Sequence, residues 1–392
     1  MNRRLFLQLL AALVVLGGIG LAMFWRDIGA WRQTEAKIGA KLFEKLPVND
    51  VAKIQLTDGN GSVVLAVKDK RWVVEQRNGY PANAQDVGDL LIKLTELKVV
   101  QTEAVGDSLL PRLNLVEPGK DGAKDAVGTR LEVFDASGKS LASILLGKKV
   151  IKTEDSPLPI KPQTPVGRYV LMPGNATVLV VSNALVMAEA AAGRWLAKDF
   201  FKAERIRSLA ASGEGGAWKI SRPEEYGQWK FADGGGELDP SDAVGAVNAL
   251  AKLEFADVAL DVKPEALAKA RVLVADTYDN LAYTVKFAKE AGGERYLLTV
   301  AVSGEPPRER KAEKGEKDED KARLDKQFTD TLAKLDERVK AEKALAGWTF
   351  VVDAKLLEPL LKDRAGMVAK PRKPGAGGPP GMPPGMMFPG MR

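Results

Sequence analysis

The sequence contains no histidine and no cysteine. Without histidine the chain lacks the usual general base near neutral pH and the most common metal ligand in proteins. The two absences exclude Ser-His-Asp and Cys-His catalysis, zinc sites built from Cys and His, thiol redox chemistry and disulfides. Chemistry carried by Asp, Glu, Lys, Ser or Tyr side chains stays open.

A net charge of +6 and a pI of about 9.1 would ordinarily raise the question of nucleic-acid binding. The positive excess lies entirely at the two ends of the chain, which lack acids. The side chains that account for it are Arg3, Arg4, Lys370, Arg372, Lys373 and Arg392. A nucleic-acid-binding domain concentrates Lys and Arg on its folded face. Because the rest of this chain is neutral overall, we expect no nucleic-acid partner.

Long apolar runs are scarce, and the exception stands near the start. The segment Leu5–Trp25 reads LFLQLLAALVVLGGIGLAMFW, with Gln8 as its only strongly polar side chain. As a helix rising 1.5 Å per residue, it covers the roughly 30 Å hydrocarbon core of a bilayer. With Arg3 and Arg4 in front, residues 1–26 are predicted to be a transmembrane signal-anchor with a cytoplasmic N-terminus. The alternative is a signal peptide cleaved at the small-x-small site Gly20–Ala22.

The remainder of the chain indicates a duplication. After a juxtamembrane helix or linker at 27–45, one order of elements occurs in residues 46–204 and again in residues 205–368. Each copy opens with three short β-rich stretches separated by turn residues, as hairpins require. We expect the boundary between the copies near 194–204.

A capped helix provides the sharpest match between the two copies. Five apolar positions coincide at one fixed offset: Val87, Leu90, Leu91, Leu94 and Leu97 in the first, and Ala243, Ala246, Val247, Leu250 and Leu253 in the second. Their spacing is that of one helix face. Asn83 and Asp239 stand at the N-cap positions, and Pro240 occupies the favoured first helical position.

Strand-like segments after the helix complete each copy. The predicted equivalences are Leu131–Phe134 with Tyr283–Phe287, Ser143–Leu146 with Arg295–Leu298, and Arg168–Leu171 with Trp348–Val351. Each copy then ends in an apolar segment, Val178–Leu185 or Leu356–Leu361, read as a helix. The predicted fold class is therefore α+β, with two β-β-β-α-β-β-β-α units in which helices pack on mostly antiparallel sheets.

The copies differ in the loop expected between their last two strands. The first has a Pro-rich loop at Val150–Val166, whereas the second has an insert at 304–346 with equal numbers of acids and bases. Apolar residues recur in this insert at helical spacing, namely Leu324, Phe328, Leu332, Leu335 and Val339. The pattern predicts a charged helix with a narrow apolar stripe, which either docks on its own domain or binds a partner.

The C-terminal segment 369–392 is rich in Pro, Gly and Met and carries no acid. This composition cannot bury a core and predicts disorder. Its thioethers Met382, Met386, Met387 and Met391 are the soft ligands that Cu(I) prefers, but low-complexity drift accounts for them as well. No catalytic, cofactor-binding or metal-ligating residue is assigned.

Several segments resemble the family called domain of unknown function 4340. They are the N-terminal span, Lys70-Arg-Trp-Val-Val, Leu94-Thr-Glu-Leu, Leu113-Asn-Leu-Val-Glu-Pro118, Leu145-Leu-Gly147, Gly167-Arg-Tyr-Val170 and Trp195–Phe201. The resemblance covers roughly residues 5 to 362. It implies a bacterial inner-membrane protein facing the periplasm, beside ABC-type exporter subunits or gliding-motility auxiliary proteins. It implies no catalytic residues.

We therefore expect a non-catalytic, membrane-anchored extracytoplasmic accessory or scaffold protein that partners an ABC-type export or gliding-motility-like complex. No glycine-rich phosphate loop ends in Lys-Ser/Thr, so the chain is not expected to be the ATPase itself.

Two alternatives stay open. One is an envelope polymer or peptide binding module that uses grooves between the copies and exposed aromatics, for which the residues are Trp72, Trp218, Tyr226 and Trp229. The other is a hydrolase that uses carboxylates such as Glu224-Glu225 or Asp276–Asp279.

Overall fold

The computed structural model describes residues 38–119, 124–153, 162–310 and 316–369. The chain divides into two compact units, one ending at Ala197 and one beginning at Lys198. The predicted span Leu5–Trp25 and the segment 370–392 lie outside the described residues. Within the described ranges, no helix combines the length and the apolar character needed to cross a membrane.

Unit 1 is built on a nine-stranded sheet. Its strands are β1 (Val51–Thr57), β2 (Ser62–Lys68), β3 (Arg71–Val74), β4 (Tyr80–Pro81), β5 (Val99–Ala104), β6 (Thr129–Asp135), β7 (Ser140–Thr153), β8 (Gln163–Leu171) and β9 (Thr177–Val181). Neighbouring strands are antiparallel and follow the order β4-β3-β2-β1-β6-β7-β8-β9-β5. Helix α1 (Ala84–Glu96) carries the chain from β4 at one edge to β5 at the other.

Unit 2 contains an eight-stranded antiparallel sheet. Its strands are β10 (Ile206–Ser212), β11 (Trp218–Ser221), β12 (Lys230–Phe231), β13 (Asp257–Val258), β14 (Arg271–Thr277), β15 (Leu281–Lys289), β16 (Arg295–Gly304) and β17 (Phe350–Asp353). Its helices are α2 (Pro240–Ala251), α3 (Asp318–Lys343) and α4 (Ala354–Leu361). The strand order is β12-β11-β10-β14-β15-β16-β17-β13. The predicted α+β class with two mostly antiparallel sheets is confirmed.

The predicted N-caps are confirmed in both units. Asn83 Oδ1 accepts from the backbone N–H groups of Gln85 and Asp86 at 3.1 and 3.2 Å. Asp239 Oδ1 accepts from the N–H of Ser241 at 2.8 Å. These bonds satisfy donors that the first helical turn otherwise leaves unpaired. The apolar face of α1 is buried, as its spacing predicted.

The predicted equivalences between strands of the two copies are wrong, because each one is shifted by one strand. Both sheets share one connectivity, in which β6, β7, β8 and β9 correspond to β14, β15, β16 and β17. The predicted match of Leu131–Phe134 to Tyr283–Phe287 instead pairs β6 with β15, because the sequence pattern does not indicate β14. Successive antiparallel strands alternate with the same period of two, so the apolar pattern alone does not fix which strand is which.

The prediction of a terminal helix in the first copy is wrong. Thr177–Val181 is strand β9, which pairs with β8 on one side and β5 on the other. A short apolar run rich in valine fits a buried strand as well as a buried helix. The corresponding prediction for Leu356–Leu361 is confirmed, since these residues lie in α4.

The charged insert forms the predicted helix, α3, between β16 and β17. The prediction of a counterpart loop at Val150–Val166 is wrong, because Val150–Thr153 lie in β7 and Gln163–Val166 lie in β8, and these two strands pair with each other. The position in unit 1 that corresponds to the insert is the short turn between β8 and β9. The described end of the predicted juxtamembrane segment, 38–45, forms turns, and Lys41 makes a β-bridge to Lys98.

Candidate functional site

Helix α3 is the element that most distinguishes unit 2 from unit 1. Its C-terminal end docks on its own sheet, where Val339 and Glu342 are 5% and 3% exposed. Glu342 Oε1 accepts from the backbone N–H of Lys202 at 2.9 Å, and Oε2 accepts from the hydroxyl of Tyr283 at 2.8 Å. Arg338 adds a 2.6 Å ion pair to Glu204. The helix is therefore fixed to the body of unit 2.

The chain that follows β16 is tied to the flank of the same helix. Arg310 makes a bidentate pair with Glu316, at 2.5 Å for each hydrogen bond, and its Nε lies 2.8 Å from Asp325. Arg308 pairs with Asp336 at 2.6 Å, and these bonds raise the pKa of both arginines. Bidentate arginine–carboxylate pairs fix orientation as well as distance.

The apolar stripe of α3 faces a cavity of about 310 Å³ in its own unit. The helix contributes Phe328, Leu332 and Leu335 to the lining, and the chain after β16 contributes Pro306 and Pro307. The three apolar side chains are half-buried. Of the two predicted roles for the stripe, the structure shows docking on its own domain.

The outer face of α3 is different in character. Lys326, Asp330 and Glu337 lie opposite the stripe at helical spacing and are exposed. None of the three forms an ion pair with any group in the described part of the chain, whereas Asp325 and Asp336 on the flanks are paired. A helix of 26 residues is about 39 Å long. It presents a row of charges of both signs that form no ion pair within the described part of unit 2.

Three of the carboxylates that sequence reasoning considered for hydrolysis accept hydrogen bonds from other side chains. Arg205 donates to both oxygens of Glu225, at 2.7 and 2.8 Å, and also to Asp279. The hydrogen bonds from Arg205 lower the pKa of Glu225. Asp276 accepts from the hydroxyl of Ser208 at 2.7 Å. The structure thus brings Glu225 and Asp279 together as counter-ions of one arginine, an arrangement that does not pair a general acid with a base.

One of the predicted aromatic residues lines a cavity. Trp229 is half-buried and contributes to a cavity of about 610 Å³ that is lined by residues between Gly227 and Val244, a segment that contains β12 and the start of α2. The lining includes Phe231, Leu238 and the exposed side chain of Val244. The guanidinium of Arg222 lies 4.8 Å from the centre of the Trp229 ring, within the range of a cation–π contact.

The other three aromatics have different environments. Trp218 is a core residue, 5% exposed, and its Nε1 donates to the carbonyl of Lys362 at 3.0 Å. Trp72 is half-buried on β3. Tyr226 is 95% exposed and does not line the Trp229 cavity. Among these four residues, Trp229 combines partial exposure with a position in the lining of this cavity.

In the described residues, no group of three or more Asp or Glu side chains is placed to hold a metal ion. The methionines considered for Cu(I), Met382, Met386, Met387 and Met391, lie outside the described residues.

The family model for domain of unknown function 4340 (DUF4340) matches residues 72–272. The match covers just over half of the chain and runs from β3 of unit 1 to β14 of unit 2. The chain belongs to the DUF4340 family. No curated protein and no solved structure matches it. The predicted family is therefore confirmed, over a shorter span than residues 5 to 362.

Proposed function

We propose that this DUF4340 protein is a non-catalytic, membrane-anchored accessory or scaffold protein on the periplasmic side of a bacterial inner membrane. Its partner in this proposal is an ABC-type export or gliding-motility-like complex. The predicted span Leu5–Trp25 supplies the anchor. The observation that carries the proposal is the outer face of α3, whose charges find no counter-ion within the described part of the chain.

A rigidly held row of exposed charges suits protein–protein contact. Mixed charges at the rim of an interface steer association and fix register more than they add affinity. Helix α3 packs on unit 2 through Val339 and Glu342, and Arg308 and Arg310 form ion pairs with its flank. Its outer face therefore loses little conformational entropy when a partner binds.

The test is a pull-down of the tagged full-length protein in mild detergent, with co-purifying proteins identified by mass spectrometry. We expect stoichiometric recovery of the permease and ATPase subunits of an exporter. The triple variant Lys326→Glu, Asp330→Lys, Glu337→Lys should lose these subunits while keeping its melting temperature.

The matched control carries similar charge reversals at exposed residues of unit 1, outside α3. It is the triple variant Glu44→Lys, Glu96→Lys, Lys98→Glu, which should recover the same subunits as the wild type. Recovery of the protein alone contradicts the scaffold role. If both triple variants recover the exporter subunits equally, the contact lies elsewhere than on α3.

The Trp229 cavity favours a second function, the binding of an envelope polymer or peptide. A half-exposed indole at the wall of a cavity gives a sugar ring or an apolar peptide side chain a flat face to stack on. Titration of soluble glycan and peptide fragments into the full-length protein checks this function. Trp229→Ala should abolish binding without loss of stability, and Tyr226→Ala, which alters an aromatic outside the cavity, should not.

A further inference from the structure

A cavity in unit 1 is lined by basic side chains. It has a volume of about 370 Å³ and lies where the register of β7 against β8 shifts, between Leu146 and Lys149. Lys148, Lys149 and Arg168 contribute to its lining, and none of the described residues that line it is an Asp or a Glu. We refer to this feature as the basic cavity.

Close backbone packing forms one wall of the basic cavity. A Cβ on Gly147 would lie 2.5 Å from the carbonyl oxygen of Leu113, and a Cβ on Gly128 would lie 2.7 Å from that of Asn114. Two glycines therefore let β6 and β7 approach the turn at Leu113–Leu115. Asn114 adopts the left-handed conformation there, with φ at 54°, and lines the cavity.

Three of the segments that carry the family resemblance meet at this place. Leu113–Pro118 supplies Asn114, Leu145–Gly147 supplies the shifted part of β7, and Gly167–Val170 supplies Arg168. These segments are far apart in sequence, so their convergence is a property of the fold.

Arg168 is a largely buried cation that does not use all of its hydrogen-bond donors within the described residues. It is 8% exposed, its Nε donates to the carbonyl of Gly147 at 2.7 Å, and Nη1 donates to those of Ala184 and Leu185 at 3.4 and 3.3 Å. Nη2 donates to no group in the described residues. Burial lowers the pKa of Arg168 to about 10, and the exposed Glu189 opposes this shift without forming an ion pair.

Polar groups around Arg168 also lack partners. Thr129 is 9% exposed, and its hydroxyl makes no hydrogen bond to any group that the structure describes. Lys148 is exposed and Lys149 half-buried, and neither forms an ion pair with the described residues. Buried charges in native proteins are normally paired. A largely buried guanidinium with no carboxylate bonded to it, beside two lysines that form no ion pair with the described residues, therefore points to an anionic ligand.

We infer that the basic cavity binds a phosphate group in its dianionic form, as inorganic phosphate or a phosphate monoester. Three positive charges match a dianion better than the single charge of a carboxylate. Arginine and lysine are the side chains that proteins use most for phosphate, and the hydroxyl of Thr129 adds a neutral donor. This site lies in unit 1 and does not depend on the role proposed for α3.

The test is a calorimetric titration of the full-length protein in neutral detergent with inorganic phosphate, at fixed ionic strength. We expect saturable binding that the double variant Lys148→Gln, Lys149→Gln weakens about tenfold or more. Thr129→Val, which keeps the shape of the side chain, should weaken binding about threefold because one donor is lost. Neither variant should melt below the wild type in the absence of phosphate.

The control is the double variant Lys139→Gln, Lys152→Gln, which removes two exposed lysines that do not line the cavity. It should bind phosphate as the wild type does. Absence of saturable binding, or equal weakening by the test and control variants, overturns the inference.

Two further titrations identify the source of the phosphate. Glycerol 3-phosphate represents a soluble monoester, and dihexanoyl phosphatidic acid represents a lipid headgroup. Similar affinities for inorganic phosphate, glycerol 3-phosphate and the lipid support a site that binds soluble phosphate. Tighter binding of the lipid supports the same site with a lipid headgroup as its ligand. If none of the three ligands saturates, the inference is wrong.

Discussion

The hydroxyl of Tyr283 donates a 2.8 Å hydrogen bond to Oε2 of Glu342, and this bond joins β15 to the last turn of α3. Both side chains are buried, and burial raises the pKa of each of them. The N–H of Lys202 and, at 3.7 Å, Nε of Arg338 help to hold the carboxylate. Since burial nevertheless outweighs these contacts for Glu342, the attachment of α3 depends on pH.

The first prediction concerns this pH dependence. A carboxyl group whose pKa is higher in the folded than in the unfolded protein stabilises the fold while it is protonated. The contribution is fully present below the ordinary glutamate pKa of 4.5 and is lost as pH rises through the raised value. The unfolding free energy of the wild type, relative to that of Glu342→Gln, should therefore fall from pH 4 to pH 7. Urea unfolding of both proteins across this pH range checks the prediction. A difference in unfolding free energy that stays constant with pH contradicts it.

The second prediction concerns the other partner of the same bond. Tyr283→Phe leaves Glu342 buried with one donor fewer, so we expect a loss of about 1–3 kcal/mol of unfolding free energy at pH 7. Tyr278→Phe is the matched control, because that hydroxyl donates to the neutral carbonyl of Arg222 at 2.9 Å in a half-buried position. It should cost about 1 kcal/mol or less. Equal losses in urea unfolding would show that the buried carboxylate adds nothing.

The third prediction compares two glycines of unit 1. Gly147→Ala places a Cβ within 2.5 Å of the carbonyl oxygen of Leu113 and should destabilise the protein by about 1–3 kcal/mol. Gly88 lies inside α1, and outside the backbone of that helix no described atom lies within 4 Å of its Cβ position. Gly88→Ala should stabilise the protein by about 0.5–1 kcal/mol, since alanine is the better helix former. Chemical unfolding measures both, and a stabilising Gly147→Ala contradicts the proposed close packing.

The fourth prediction uses the two helix caps. Asn83→Ala should cost about 1 kcal/mol at any pH, because an amide does not titrate. The cap bonds from Ser241 lower the pKa of Asp239 below its ordinary 3.8, so its contribution exists above that pH and is lost as pH falls through the lowered value. Asp239→Ala should therefore lower the melting temperature at pH 7 and much less at pH 2. If the melting temperature of Asp239→Ala lies below that of the wild type by the same amount at both pH values, the ionised carboxylate is not the cap.

These caps also show which parts of the fold the sequence predicts well. A helix start combines an Asn or Asp cap with apolar residues at a spacing that strands cannot share, so α1 and α2 are predicted at their observed positions. The stripe of α3 is predicted for the same reason. In contrast, the sequence pattern predicts a helix at β9 and does not indicate β14. A short apolar run carries no cap, and its partner strand depends on pairings distant in sequence.

The basic cavity could not be predicted from the sequence. Asn114, Lys148 and Arg168 stand in separate segments, and each has an ordinary explanation alone. They meet because the register of β7 shifts at Gly147, and strand register is a property of the assembled sheet. The Trp229 cavity is predicted in part, since an aromatic residue indicates it, but the sequence pattern alone does not separate Trp229 from the core residue Trp218.

The strand order of each sheet has a consequence for the order in which the chain can fold. Strand β5 is synthesised soon after α1, yet its neighbour in the sheet is β9, which is the last strand of unit 1 to be synthesised. Likewise, β13 must wait for β17, which follows the whole of α3. Until those late strands emerge, each nascent unit carries an unpaired β-edge open to wrong association. Each unit can therefore close only when its C-terminal end is complete, and a ribosomal stall or a truncation in the α3 insert would release a chain prone to aggregation.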